Sequence, residues 1–357
     1  MKTLLIEPVD VWMFRDGKPF DAGSTHRAES VFPPLPSTIQ GVLRSHQLIL
    51  ANVDLRDRAA VAACVGDADN MRGLKLRGPF VARRAGSGAA PEIYLPVPAS
   101  AAASPDGWVA LRPKPWPAGV RTSSPLPEAL WPVTAPGKYP ELGEWLSLAE
   151  WGAFWAGQPV RGIPSQKLFV RETRTGIELG AQRTARTGQL YEAEFIRPGP
   201  GVGLLVEMDG YDHWPSQGLL RIGGEARAAS YTTTPSPAWP AAPAPLPARF
   251  AVCLTTPALF EGGWQPAGGW SKFFDRPVQL VCAAFGRPHS LGGFDFAKAA
   301  RNPADPAAHK PARRYVPAGA VYFFVNQGAK ALTAAALTDH GADFGFGRFL
   351  VQEQKTL

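Results

Sequence analysis

Cysteine is scarce in this sequence. Cys64, Cys253 and Cys282 are spread over 357 positions with no C-x-x-C pair, so neither a zinc site nor a disulfide framework is expected, and a reducing compartment fits. The six histidines, His26, His46, His213, His289, His309 and His340, lack metal-ligand spacing. No P-loop, H-E-x-x-H, G-x-S-x-G or G-x-G-x-x-G occurs, which removes the usual anchors of nucleotide hydrolysis, zinc peptidase and serine hydrolase chemistry. No uncharged run is long and apolar enough to span a bilayer, and Glu7, Pro8 and Asp10 end the signal-like start before an h-region forms. The expectation is a soluble cytoplasmic protein with no metal, no cofactor and no membrane partner.

Proline and glycine are abundant at 37 each, predicting turns, extended connections and long loops rather than a helical bundle. The chain is long enough for two cores. Lys+Arg 37 against Asp+Glu 30 gives a net +7, which favours an anionic partner, with a merely solubilising surface as the other reading.

Residues 14–45 organise the rest. A branched, apolar run from Thr3 to Phe14 reads as a buried strand, and Asp16-Gly17 breaks it into a loop. Ser37 with Gln40 has the form of a capping box, and Ile39, Val42, Leu43, Ile49 and Leu50 recur at helical spacing. A second helical stretch covers 54–64, and 74–84 alternates as a strand. Residues 85–140 read as a loop-rich insertion, and 141–155 as a short apolar-faced helix. Two alternating stretches within 166–197 flank a polar, basic centre and predict a projecting hairpin. Strands are expected at 204–208, 219–222, 250–255, 278–285 and 319–325, an alanine-rich helix at 327–337, and a glycine turn at 345–348 before a last strand. The Glu-Gly-Gly-Trp and Ala-Gly-Gly-Trp echo at 261–270 is local, and 298–314 is polar and basic. Strands and helices mix in both halves, an α+β pattern. The proline-rich 235–248 is the expected linker between an N-terminal module, 1–234, with an insertion near 85–160 and the hairpin near 166–197, and a C-terminal module, 249–357.

The opening loop holds the best candidate site. Arg15, Lys18, Arg27 and Arg44 flank or end it, and Gly17 and Gly23 let its backbone bend close to a ligand. Helix-start N–H groups around Ser37 and Thr38 point back into it, where a phosphate accepts them. Arg171, Arg174, Arg183 and Arg186 surround the hairpin, and Gly345, Gly347 and Arg348 form a glycine-arginine turn. Each of these groups reads equally as solvated or structural. His26 fits three roles: a loop donor to phosphate, a solvent-facing side chain, or a ribonuclease general base.

Together these stretches resemble the RAMP superfamily of CRISPR proteins, and within it the handle-binding subunit of type III-B (Cmr) effector complexes. The resemblance is carried by Phe14-Arg15-Asp16-Gly17-Lys18-Pro19-Phe20 with Ala22-Gly23, by Ser30-Val31-Phe32-Pro33-Pro34-Leu35-Pro36-Ser37-Thr38 with Gly41-Val42-Leu43-Arg44, and by Thr187-Gly188-Gln189-Leu190-Tyr191. It continues in Leu220-Arg221-Ile222-Gly223-Gly224-Glu225, Pro317-Ala318-Gly319-Ala320-Val321-Tyr322 and Gly345-Phe346-Gly347-Arg348. It implies two ferredoxin-like (RRM-like) modules with antiparallel sheets and long loop insertions. It also implies a non-catalytic role: gripping the repeat-derived 5′ handle of the guide RNA and binding the large polymerase-like subunit and the first backbone subunit. The contacts expected on that basis are Arg15, Lys18, Gly23, Ser24, Thr25, His26, Arg27, Ser37, Thr38, Arg44, Arg174, Arg183, Arg186, Gly345, Gly347 and Arg348. Two other functions stand beside this one: a RAMP endoribonuclease using His26, and a pure assembly scaffold.

Overall fold

Both faces of the opening strand, Lys2–Pro8, are buried, Leu4 and Ile6 on one side and Leu5 on the other, so it lies inside a sheet rather than at its edge. The computed structural model describes residues 1–17, 27–67, 71–86, 88–131, 142–211, 214–294, 302 and 309–354. Lys2–Pro8 is the third of seven antiparallel strands, in the order Gln217–Arg221, Ala228–Thr233, Lys2–Pro8, Val202–Asp209, Lys75–Arg83, Glu92–Pro96, Trp145–Ser147. Leu4 lies opposite Val206 on one side and Thr233 on the other. A second antiparallel sheet has four strands, in the order Val278–Ala284, Val321–Asn326, Arg249–Leu254, Phe349–Glu353.

Four adjacent strands of the large sheet, Ala228–Thr233, Lys2–Pro8, Val202–Asp209 and Lys75–Arg83, and the four of the small one have the same order: the first strand of each set lies between the third and fourth, and the second lies beyond the third. That is the strand plan of a βαββαβ module. The helices do not follow it. The helices Pro36–Leu50 and Arg58–Val65 fill the first crossover of the large sheet, whereas Gln217–Arg221 occupies its second. Among the described residues of the second half there is no α-helix, only 3-10 turns at Trp270–Phe273 and Ala342–Phe344. Among the described residues the protein is mostly β, 41% strand against 13% helix; the complete ferredoxin-like form expected of each half is not shown.

The alanine-rich stretch 327–337 is the clearest departure from expectation, because its N–H groups are claimed elsewhere. Asn326 Oδ1 accepts from Gly328 N (2.9 Å) and Ala329 N (2.7 Å). Asp275 Oδ1 accepts from Lys330 N (2.9 Å) and Ala331 N (3.1 Å), and Leu337 N donates to Gly347 O. Alanine's helical advantage, below about 1 kcal/mol per residue, does not outweigh these bonds and the burial of Ala329, Ala336 and Leu337. Residues 92–130, within the expected loop-rich insertion, hold regular structure: Glu92–Pro96 is a buried strand, and two small hairpins follow, Ala101–Ser104 with Gly107–Ala110 and Pro113–Pro115 with Glu128–Leu130. The helix expected over 141–155 begins only at Leu148, after the edge strand Trp145–Ser147. There Ser147 and Glu150 form a capping box, each side chain accepting from the other's backbone N–H.

Three cores result. Leu4, Ile6, Val206 and Tyr231 meet Ile39 and Leu43 of the first helix. Leu5, Phe80 and Leu205, on the other face, meet Ala251, Cys253, Phe323 and Leu350, so the two sheets pack face to face. Phe250, Val252 and Phe324 turn outward onto Trp270, Phe273 and Phe274. Residues 235–247 hold neither strand nor helix, yet Trp239 pins them to the large sheet, 4.8 Å from the Phe80 ring with its Nε1 donating to Glu207 Oε2 (3.0 Å).

Asp339 explains the glycine-tryptophan echo. Its Oδ2 accepts from Glu261 N (2.8 Å) and Ala267 N (2.9 Å), the first residues of the two copies, while Lys272 pairs with Oδ1. Burial pushes the carboxyl up, and these bonds more than offset it, holding the pKa below its ordinary value. Replacing Asp339 by alanine is expected to cost about 2–3 kcal/mol in denaturant unfolding, the range for losing charge-assisted bonds to a buried group. A loss within 0.5 kcal/mol, roughly the scatter of surface substitutions, would show that the loop holds itself.

Candidate nucleic-acid interface

The expected strand over Thr3 to Phe14 divides at Pro8, which has no N–H to continue the ladder. Beyond it Trp12 changes sheets, exchanging hydrogen bonds with Ile196 of the long hairpin (2.9 and 2.8 Å). Phe14 is core, 5% exposed, stacked on Phe32 at 6.3 Å. Arg15 is exposed and bridges to Ser30. Lys18, Phe20, Gly23, Ser24, Thr25 and His26 lie outside the described residues. The chain returns at Arg27–Ala28, pairing parallel to Glu192 and Ala193.

A buried carboxylate fixes this return. Glu194 is 6% exposed; its Oε1 accepts from Ser30 N (3.2 Å) and pairs with Arg171, and its Oε2 lies 3.7 Å from Arg27. Ser30 Oγ donates to Glu194 O (2.5 Å), and Arg171 Nη1 donates to Ser30 O (2.7 Å). The loop's exit is thereby tied to the base of the hairpin.

Ser30 to Pro36 then leads into the first helix. The capping box expected from Ser37 and Gln40 does not form. Pro36 takes the first helical position, where its fixed φ suits it, so the N-cap is Leu35 and no side chain caps the helix. Ser37 is exposed and Thr38 half-buried in the first turn. Ile39, Val42 and Leu43 are buried as expected, whereas Ile49 is 66% exposed, past the point where the helix leaves the sheet.

Arg15, Thr38, Arg221, Gly223 and Gly224 line one end of a groove of about 1100 Å³; His46, Ile49 and Leu219 line it further along. The Gly223-Gly224 turn sets its shape. Gly223 has φ 74° and Gly224 N donates to Met13 O (2.7 Å), while Glu225 and Ala226, at φ 55° and 49°, complete a tight primed turn. Arg221 projects because Leu220 beside it is buried, an alternation readable in the sequence. Burial lowers the His46 pKa, favouring the neutral imidazole, whose Nε2 lies 3.3 Å from Tyr231 Oη. Arg44 is used elsewhere: it donates to Gly66 O (2.7 Å) at the end of the second helix.

The long hairpin, Phe169–Leu179 with Ala185–Pro198, is present as expected. Most of its arginines are neutralised within the fold. Arg174 pairs with Glu172 (2.7 Å) and Asp10 (3.6 Å) and lies over the Phe195 ring at 4.8 Å. Arg186 pairs with Glu178 (2.6 Å), and Arg197 with Glu172 and Asp10. Arg183 is exposed in the tip turn at φ 58°.

The family described as CRISPR-associated protein (Cas_Cmr3) matches residues 4–353. The chain belongs to the Cas_Cmr3 family. Among solved structures it is similar to a chain of the cryo-EM structure of the Type III-B Cmr-beta bound to cognate target RNA and AMPPnP, with 14% identity, 90% of this chain and 86% of that chain covered, and a TM-score of 0.47. A second, the Type III-B Cmr-beta bound to cognate target RNA, gives 15%, 90%, 86% and 0.47. No curated protein matches.

In this Cas_Cmr3 member the terminal glycine motif joins the two halves. A Cβ on Gly345, at φ 96°, would lie 2.6 Å from Gly78 O of the large sheet, and Gly347, at φ 66°, backs onto the Leu337 carbonyl. Arg348 donates to Leu76 O (2.6 Å), Ala335 O (2.9 Å) and Ala342 O (3.2 Å). Among the described residues no group of three or more His, Cys, Asp and Glu can hold a metal, and no helix is long and apolar enough to cross a membrane.

Proposed function

We propose that this chain is the non-catalytic RNA-binding subunit of a type III-B (Cmr) CRISPR effector, gripping the repeat-derived 5′ handle of the guide RNA. Its protein partners in this reading are the large polymerase-like subunit and the first backbone subunit. The observation that carries it is the groove in which Arg15, Thr38 and Arg221 meet two glycines at a helix start that no side chain caps. A phosphate there accepts first-turn N–H groups and pairs with exposed guanidinium groups. Arg27, Ser37 and the loop residues Lys18, Gly23, Ser24, Thr25 and His26 extend this contact, and Arg183 meets RNA at the hairpin tip. Arg44, Arg174, Arg186, Gly345, Gly347 and Arg348 serve instead by holding backbone and neighbouring charges in place.

Binding of labelled guide RNA as a function of salt tests this. Arg15→Gln and Arg221→Gln are each expected to flatten the log-log slope by about 0.7, the increment for one single-strand phosphate contact. A salt-independent affinity, or slopes unchanged in both variants, would refute the groove as the grip. Cleavage of the RNA by the purified chain, lost in His26→Ala, would favour an endoribonuclease instead.

A further inference from the structure

The two projecting hairpins carry their cations differently. On the long one, Arg171, Arg174, Arg186 and Arg197 each meet a carboxylate. The short hairpin of the second half, His289–Phe294 with His309–Tyr315, places Ser290 opposite Arg314, Leu291 opposite Arg313 and Gly293 opposite Lys310. Arg287, Lys310, Arg313 and Arg314 are all exposed, and among the described residues no carboxylate pairs with any of them. From 285 to 316 the sequence holds Arg287, Lys298, Arg301, Lys310, Arg313 and Arg314 against only Asp295 and Asp305. Glu261, paired with His340, lines a cavity with Arg313 and Arg314; the excess of like charges on the hairpin repels in the free protein, and an anionic partner relieves that.

This hairpin adjoins the opening segment. A Cβ on Gly17 would lie 3.0 Å from Gly292 N. Between them a cavity of about 730 Å³ is lined by Asp16, Ser30 and Arg171 on one side and Arg287, His289 and Ser290 on the other. Glu29 and Glu194 also line it, Glu194 already paired with Arg171 and Arg27. Arg15 lines the groove and its neighbour Asp16 lines this cavity, so the two lie next to each other along the backbone. Beside Arg287, Phe285 is 41% exposed and stacked on Trp264 at 5.8 Å and 20°. An open aromatic face among unpaired arginines suits a single nucleic-acid strand, which offers bases as well as phosphates, better than an acidic protein surface.

We infer that the short hairpin is a second RNA-binding element. Arg287, Lys310, Arg313 and Arg314 take phosphates of a single strand that continues from the Arg15 groove, and Phe285 stacks on one of its bases. This rests on the RNA-binding reading above and extends it to the second half of the chain.

The test uses the full chain, a labelled single-stranded RNA oligonucleotide and a salt titration. Arg313→Gln combined with Arg314→Gln should flatten the slope by about 1.4, two contacts' worth, while the double lysine variant keeps it. Phe285→Ala should weaken binding with the slope unchanged. Circular dichroism of each variant checks that the fold is intact. A glutamine double variant with the slope of the unsubstituted chain overturns this inference alone and leaves the groove standing. Failure of the unsubstituted chain to bind RNA overturns both. An unchanged slope together with lost co-purification of partner subunits assigns the hairpin to an acidic protein instead.

Discussion

Replacing Glu207 by alanine is expected to destabilise the protein by about 3–5 kcal/mol, the usual cost of leaving a buried charge without its partner. Glu207 is 3% exposed. Its Oε2 lies 3.6 Å from Arg77 Nε and accepts from Trp239 Nε1, while the Arg77 guanidinium covers the Trp239 ring at 4.0 Å. Burial lowers the Arg77 pKa; the attraction of Glu207 opposes that, and the nearby charge of Arg348 adds to it. One carboxylate therefore compensates two half-buried guanidinium groups, Arg77 and Arg348, and holds the 235–247 segment by Trp239. Alanine leaves the two cations facing each other. Glu207→Gln keeps an acceptor for Trp239 and removes only the charge, so its loss should fall between wild type and alanine in urea unfolding. A loss below about 1 kcal/mol for alanine, the level of an exposed pair, would mean that water reaches the site and that the 235–247 segment is not pinned by Trp239.

Such arrangements mark the limit of what the sequence discloses. Pro36–Leu50 is legible by its helical apolar period, the long hairpin by alternation on either side of a polar centre, and the strands at 202–209 and 249–254 by continuous apolar runs. Glu92–Pro96 is not: its Ile-Tyr-Leu centre is too short to show a period and lies among alanines, glycines and prolines. Ala228–Thr233 hides for a related reason, since small residues fill it and only Ala229 and Tyr231 carry the buried alternation. At the candidate site Arg15 and Thr38 can be read from loop chemistry next to a helix start. The destinations of Arg44 and Arg348 cannot, because Gly66 O and Leu76 O become neighbours only when the chain has folded. A basic residue beside glycine looks the same whether it holds a phosphate or a distant carbonyl. What separates the cases is whether a carboxylate or carbonyl has already claimed the side chain, as the two hairpins show.

Phe323→Ala is expected to cost about 3–5 kcal/mol, the range for emptying a fully buried aromatic site. Phe323 is 0% exposed in the cluster that joins Phe80 and Leu205 of the large sheet to Ala251 and Leu350 of the small one. Its neighbour Phe324 points to the opposite face, onto Trp270 and Phe274. The pair separates two questions. Phe324→Ala removes packing that belongs to the second half alone, whereas Phe323→Ala removes packing that both halves share. If the face-to-face core makes the halves one cooperative unit, both variants unfold in a single transition with the m-value unchanged. Two transitions in Phe323→Ala, with fluorescence and circular dichroism no longer coincident, would show the halves to be separable. The consequence reaches the proposed RNA path, because the groove is built on the first half and the short hairpin on the second, and among the described residues they adjoin where Gly17 lies against Gly292. A protein loosened at Phe323 should therefore lose the added affinity of the continuous path and keep that of each segment alone.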